Sequence, residues 1–481
     1  MNGPEGGKSP ARKKGSPGTA SPEETICGIA TAVGEGGIGI IRISGGGALR
    51  VGDRLFSPTD GKSLSDCESH TLHHGTILGP GGRERIDEVM VGLLRAPRSY
   101  TREDTVEVYC HGGPLILRRI LGLAVAAGAR PAEPGEFTKR AFLNGRIDLT
   151  RAEAVMDLIR AKSDAAQRAA LAQMEGGLYR LIHELRRSMV SVLAEIEAGL
   201  DFSEEDIEFI SPAAVKKSLD ESRSTISRLL QSAEGGRVIR EGVRTVIIGE
   251  PNVGKSSLMN ALLDRDRAIT SPVPGTTRDL IEDQMSLDGV LFRLMDTAGL
   301  RESPDLIEQK GMDRTRAGIS QADMVLVVQD ATTQSGEKPE GLRDWKELIK
   351  GKRHLLVANK IDLVEGGKAG DLSDEKSMGM PVSAKTGAGL DALREEIIKR
   401  VREELAQSGE REALINERHE AALIQAREAV EAALKALGEE IPAEVLALEL
   451  RRGIDRLGEI TGESTSEGLL DQIFKRFCIG K

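Results

Sequence analysis

Between residues 23 and 130, short runs of branched and aliphatic residues alternate with glycine-rich turns: GIGIIRIS, HGTILG, VMVGLL and TVEVYCHGG. The run GPLILRRILGLAVAAGA, apolar at helical spacing, sits among them. Strand and helix periods interleaved in this way predict an α+β domain. From Asp148 the spacing changes. The stretch from LTRAEAV to EAGLDF places apolar residues at helical spacing and has almost no proline, which predicts long helices. Thr150 and Glu153 have the spacing of a capping box at its start. The helical pattern continues over 212–240, and strand, loop and helix then alternate to about residue 403. Long charged helices return after that and run to Lys481. The similar character of the two flanks predicts one all-α domain made of two segments, 141–240 and 404–481, interrupted by an inserted α/β domain, 241–403. Residues 23–140 would form the N-terminal domain, and 1–22 read as a disordered tail rich in Gly, Pro, Ser and Lys.

A length of 481 residues fits about three such domains. No apolar run is long enough to cross a bilayer, and the N-terminus lacks the apolar core of a signal peptide. The net charge of -10 argues against coating a nucleic acid, so any RNA contact is expected to be local. The cysteines (Cys27, Cys67, Cys110 and Cys478) lie far apart, which suits a reducing cytoplasm. Cys67, His70, His73 and His74 are ligand types crowded into CESHTLHHGTI. With no distant partner they read as a loop entering a strand rather than a metal site.

The inserted segment carries chemistry. VIIGEPNVGKSS is an apolar strand followed by G-x-x-x-x-G-K-S, with Gly249, Gly254, Lys255 and Ser256 at the fixed positions. Its backbone from Asn252 and Val253 through Ser257 can point N–H groups at phosphates, Lys255 can reach the β/γ-phosphates, and Ser256 can ligate Mg²⁺. Thr277 in PGTTRD is placed to close on the same metal. LFRLMDTAG ends a strand in Asp296, followed by Thr297, Ala298 and Gly299, whose N–H can sense the γ-phosphate. LLVANKID supplies Asn359, Lys360 and Asp362, and VSAK supplies Ser383, Ala384 and Lys385. The Asp362 carboxylate can pair with guanine and not with adenine, which selects GTP. Five motifs in this order are the pattern of a GTPase. The position that in Ras-like proteins holds a water-orienting glutamine is Leu300, so hydrolysis must draw on another group. Asn252 could help bind a monovalent cation beside the phosphates. Glu308 is either a water-positioning carboxylate or a solvated helix residue.

Together the loop asparagine, PGTTRD, DTAGLRE and terminal FCIGK resemble the family of tRNA uridine-modification GTPases called MnmE or TrmE. GGIGIIRISG, SYTREDTVEVYCHGGP, PGEFTKRAFLNGRIDLTRAEAV and LGEITGESTSEGLLDQIFKRFCIGK agree, so the resemblance covers about 23–481. It implies a dimerising, folate-binding N-terminal domain, a helical domain of two segments and an inserted P-loop G domain. The family acts with an FAD-dependent partner, MnmG (GidA), on C5 of the wobble uridine of certain tRNAs. It installs an aminomethyl or carboxymethylaminomethyl group, with methylenetetrahydrofolate as the one-carbon source. Hydrolysis is activated when two G domains meet with potassium. By this resemblance Asn252, Thr276 and the carbonyls of Ser271 and Val273 fall on potassium ligands, and Glu308 falls on the water-positioning glutamate.

The family's folate contacts fall on Arg42, Glu107, Arg146 and Lys481. Arg146 stands where lysine also occurs, and Arg102 replaces the glycine of the usual TGED. A prenylation box at Cys478 would need aliphatic residues where Gly480 and Lys481 stand, so anchoring is not expected. The resemblance instead implies a nucleophilic or substrate-positioning thiol. The rival reading, a ribosome-assembly or RNA-chaperone GTPase, would be expected to carry a KH-type module in a basic setting.

Overall fold

A computed structural model of the chain describes residues 24–32, 34–201, 211–266, 282–296, 318–332, 347–364, 379–407, 414–439 and 441–480. They form two compact units, one of residues 1–153 with 462–481 and one of 154–461.

The first unit is built on strands β1 (Ile26–Ile29), β2 (Gly36–Ser44), β3 (Phe56–Pro58), β4 (Thr71–Leu78), β5 (Arg85–Leu94), β6 (Thr105–Gly112) and β7 (Arg130–Pro131). They make one seven-stranded sheet in the order β3-β4-β5-β6-β2-β1-β7. Helices α1 (Ala48–Leu55) and α2 (Pro114–Ala126) pack on one face. Ile41, Ile43, Val89, Val91, Val106 and Val108 point into that core against Val51, Leu117 and Ile120. Alternation sends their neighbours Arg42, Glu107 and Tyr109 to the opposite face. β2, β4, β5, β6 and α2 stand where the sequence predicts them, whereas β1, α1 and β3 are too short to show a period. Helix α3 (Glu136–Leu143) follows β7, and α4 (Leu149–Arg160) starts one residue before Thr150. The carboxylate of Asp148 accepts the Arg151 N–H, so Asp148 does the capping expected of Thr150. Cys67 Sγ lies 3.8 Å from His73 Nδ1, whereas the His70 ring bonds to Ser69. His73 bonds to Thr71 and His74 to Glu88, and no cluster of three metal-ligand types occurs among the described residues.

In the second unit, helices α5 (Asp164–Met174), α6 (Gly177–Asp201) and α7 (Pro212–Glu241) precede a second sheet. Its elements are β8 (Val243–Ile248), α8 (Lys255–Asp266), β9 (Glu282–Leu287), β10 (Val290–Asp296), β11 (Met324–Asp330), β12 (His354–Asn359), β13 (Met380–Pro381) and α9 (Leu390–Gln407). After it come α10 (Glu417–Gly438) and α11 (Ala443–Thr461). Residues from both sides of the sheet segment share one core: Leu185, Met189 and Leu219 pack with Ala426, Val430 and Leu457. The second sheet runs β13-β12-β11-β8-β10-β9, parallel except for the β9–β10 edge. Its central strands carry apolar runs, Val246–Ile248 in β8 and Met324–Val328 in β11, because both faces are covered there. Val246, Val325 and Val327 face one core, and Ile247, Leu326 and Val328 the other.

The joint between α7 and β8 is Gly242, at φ 87. A Cβ there would lie 2.8 Å from the Leu291 carbonyl oxygen. Beside it the guanidinium of Arg237 donates to both carboxylate oxygens of Asp323, at 2.6 and 3.3 Å. Asp323 also accepts the Arg244 N–H, so a helix end, a strand start and a neighbouring loop meet on one carboxylate.

Candidate functional site

Parallel strands place their carboxyl ends side by side, and the loops leaving those ends form the ligand crevice of an open α/β sheet. β8, β10, β11 and β12 end in register here: Ile247 opposite Asp296, Val327 opposite Ile248 and Asp330 opposite Asn359. The loop after β8 turns tightly, with Gly249 at φ 151, Asn252 at φ 65 and Gly254 at φ 92. Neither glycine could carry a side chain. A Cβ on Gly249 would lie 2.2 Å from the Val328 carbonyl, and one on Gly254 2.4 Å from the Asn359 amide. Asn252 occupies the left-handed region that asparagine tolerates. Lys255 opens α8, and its ammonium donates to the carbonyls of Gly249 (3.0 Å) and Glu250 (2.7 Å) across the loop mouth. Ser256 and Ser257 are exposed in the first turn, where a helix N-terminus favours phosphate.

The residues expected to contact the base, Asn359, Lys360, Asp362 and the Ser383–Lys385 loop, lie together in the fold. Asn359 is 2% exposed. It donates to the Val253 carbonyl at 2.9 Å and accepts the Ala384 N–H at 3.0 Å, so it is a strut joining the phosphate loop to the Ser383–Lys385 loop. Asp362 is exposed and accepts the Ser383 hydroxyl at 2.6 Å, which holds the carboxylate in place. Lys360 pairs with Asp330 at 2.7 Å, a partner that sequence motifs did not single out. Burial alone would raise the Asp330 carboxyl, but the Lys360 ammonium and the Thr332 hydroxyl and amide outweigh it and lower it. The two glycine cradles and the exposed Ser256 at the start of α8 fit a nucleoside triphosphate with its Mg²⁺. Ser271, Val273, Thr276, Thr277, Thr297, Ala298, Gly299, Leu300 and Glu308 lie outside the described residues. So does Lys481.

A second constellation lies on the face of the first sheet opposite α1 and α2. Arg42 on β2 stands opposite Glu107 on β6, and its Nε donates to Glu107 Oε1 at 2.8 Å. The Tyr109 hydroxyl donates to the other carboxylate oxygen at 2.7 Å. The Arg42 and Glu107 side chains are only 16% and 14% exposed. Burial, reinforced by that carboxylate, pushes the Tyr109 phenol up to about 12. The Arg42 guanidinium lies over the rings of Tyr100 (5.6 Å) and Phe137 (5.7 Å), and Arg146 lies over Tyr100 from elsewhere at 4.9 Å. Two cations thus flank one aromatic ring, whose hydroxyl is fixed by Thr138 at 2.9 Å.

The C-terminal segment enters the same site. Helix α12 (Glu467–Phe474) packs on α3, tied by Lys139 to Asp471 at 2.6 Å and by the rings of Phe142, Phe474 and Phe477. Gly135 N–H donates to the Cys478 carbonyl at 3.3 Å, and Arg42 donates to the Gly480 carbonyl at 3.2 Å. Cys27 and Cys110 are buried, which pushes both thiols up to about 11, whereas Cys478 is exposed. Arg42, Glu107, Arg146 and the residue before Lys481 are therefore brought together. Tyr100, Tyr109 and Phe137 are additions. Tyr109 was findable, since it lies two residues from Glu107 on one strand face, whereas Tyr100 and Phe137 reach the site from loop and helix.

The chain matches the family model described as the MnmE helical domain over 149–478 and that of the GTP-binding protein TrmE N-terminus over 25–146. The tRNA modification GTPase MnmE of Geobacillus thermodenitrificans is 44% identical over 462 residues, covering 95% of this chain and 99% of that one. Its counterpart from Symbiobacterium thermophilum is 47% identical over 463 residues, covering 95% and 100%. Among solved structures, the G domain of the T. maritima FeoB iron transporter covers 33% of this chain and 97% of its own, with 30% identity and a TM-score of 0.24. Near-complete coverage at this identity, joined to an ordered set of nucleotide motifs, makes the chain a member of the MnmE family of tRNA modification GTPases.

Proposed function

We propose that this GTPase works with an FAD-dependent partner of the MnmG type to place an aminomethyl or carboxymethylaminomethyl group on C5 of the wobble uridine of certain tRNAs. The observation that carries the reading is the convergence of Arg42, Glu107, Tyr109, Arg146 and the C-terminal Gly480 on one half-buried patch. Its donor set suits a folate: two guanidiniums for the glutamate tail, a carboxylate for pterin N–H groups and aromatic rings for the flat body. Methylenetetrahydrofolate, when bound, supplies the one-carbon unit. Arg42 and Arg146, with Lys481, would hold its carboxylates, and Glu107 would orient the pterin. Cys478, exposed on the tail, would act as a nucleophile or position the uridine.

In the G domain Mg²⁺ would be held by Ser256 and Thr277. Potassium would be held by Asn252, the carbonyls of Ser271 and Val273, and Thr276. Of these only Asn252 and Ser256 are among the described residues, and the left-handed Asn252 in a loop that bends around phosphates suits the cation. That cation would add positive charge where an arginine finger acts elsewhere, an effect of roughly 10³–10⁵ in rate for the finger. Glu308 would orient the attacking water. We place the domain boundaries at 23–140, 141–240, 241–403 and 404–481, with the N-terminal domain dimerising.

The test combines this protein, its FAD-dependent partner, an unmodified tRNA, GTP, methylene-labelled methylenetetrahydrofolate and, in parallel mixtures, ammonium or glycine as the amine donor. Label should enter the wobble uridine in the wild type and be lost in Arg42→Ala, which keeps GTP hydrolysis. Failure of the wild-type mixture to label the tRNA would contradict the reading.

A further inference from the structure

Arg102 stands at φ 61, a left-handed conformation that glycine adopts freely and a long side chain does not. The arginine thus keeps a strained backbone that glycine would relieve. Its side chain shows what it does there. The guanidinium Nη1 donates to the Asn144 carbonyl at 2.9 Å, and the Asn144 side-chain amide donates back to the Thr101 carbonyl at 2.7 Å. Two residues on, Arg146 donates to the Ser99 carbonyl at 3.1 Å. The three bonds cross-link the loop 99–102 to the turn 144–146. The first carries Tyr100, and the second carries Arg146, whose guanidinium lies 4.9 Å over the Tyr100 ring.

We propose that Arg102 is a positioning residue, clasping these two loops so that Tyr100 and Arg146 present a preformed cationic and aromatic wall to an anionic pterin ligand. The inference rests on the folate reading of this site. Arg102 itself is exposed and touches none of Arg42, Glu107 or Tyr109 by any hydrogen bond among the described residues. It acts through the loop rather than on the ligand. A preformed wall spares the ligand the ordering of two loops, so its loss reads out as weaker binding.

The experiment is calorimetric titration of 5-formyltetrahydrofolate into the full chain and into Arg102→Gly, Arg102→Lys and Arg42→Ala. A net hydrogen bond, discounted for exposure, corresponds to a Kd rise of about three- to fivefold in Arg102→Gly. The lysine, which keeps a donor of similar reach, should recover most of it. The melting temperature of Arg102→Gly should not fall, because glycine relieves the strained φ; a merely structural arginine would lower it instead. Unchanged affinity in Arg102→Gly, with binding abolished in Arg42→Ala, would overturn the clasp and leave the folate site standing. Equal weakness of the glycine and lysine variants would also overturn it. Wild-type affinity in Arg42→Ala would refute the folate reading itself.

Discussion

Gly480 sits at φ 93, and a Cβ there would come within 2.1 Å of the Ile29 carbonyl oxygen. One methyl group should therefore lever the tail off β1 and withdraw the carbonyl that Arg42 holds. Gly480→Ala is expected to raise the Kd for 5-formyltetrahydrofolate about tenfold, the equivalent of the left-handed strain penalty. GTP affinity, measured in parallel, should stay at the wild-type value. Asp362 offers a second single-residue test. Replacing its carboxylate with an amide in Asp362→Asn removes an acceptor for guanine and adds a donor. GTP binding should weaken by about 100-fold or more, and binding of a xanthine nucleotide, which has a carbonyl where guanine has its amine, should strengthen. Unchanged GTP affinity would remove Asp362 from the base site. Asp362 was legible because motif order is local in the chain. The Asn359 strut was not, because only the folded sheet brings Val253 and Ala384 to the same amide.

Helix α3 carries Phe137 and Thr138 to the Arg42–Glu107 patch and is held by a nearly buried ion network. Arg140, 7% exposed, bonds Glu136 at 3.0 Å and Glu103 at 3.1 Å, and Arg130 bonds Glu136 at 2.7 Å. Burial raises the Glu136 carboxyl, but the bonds from Arg130, the Glu133 amide and Arg140 outweigh it and lower it below 4.5. A carboxylate lowered by folding stabilises the fold above its unfolded value and loses that contribution as pH falls through the folded one. Glu136→Gln should therefore cost about 3 kcal/mol near neutral pH, the lower end for a broken buried pair. The wild-type advantage should narrow below pH 4.5 in calorimetric melts. An advantage constant with pH would assign it to packing instead. The network was invisible in sequence because glutamates and arginines spread from Glu24 to Arg140 look like ordinary surface charge until β1, β7 and α3 bring them together. The long helices and the β-rich runs were legible because their periods repeat. The very short strands β3 and β7 hold too few residues to show one.

Across the whole molecule, two kinds of site are written into one chain in different ways. The GTPase site is nearly contiguous in sequence and could be read from motifs. The proposed folate patch draws on β2, β6, the loop before β6, α3 and the last few residues, 438 positions from Arg42 to Gly480, and residue types alone could not assemble it. The proposal for the first site is that a GTPase with Leu300 in place of the usual glutamine hydrolyses GTP with a potassium ion and Glu308 instead. Its most direct test is steady-state GTP hydrolysis by the full chain in matched KCl and NaCl buffers, with Glu308→Ala alongside. The account predicts stimulation of at least about tenfold in KCl, within the range a stabilising charge supplies, and its loss in the variant. Equal, low rates in both salts, or full potassium stimulation in Glu308→Ala, would contradict it.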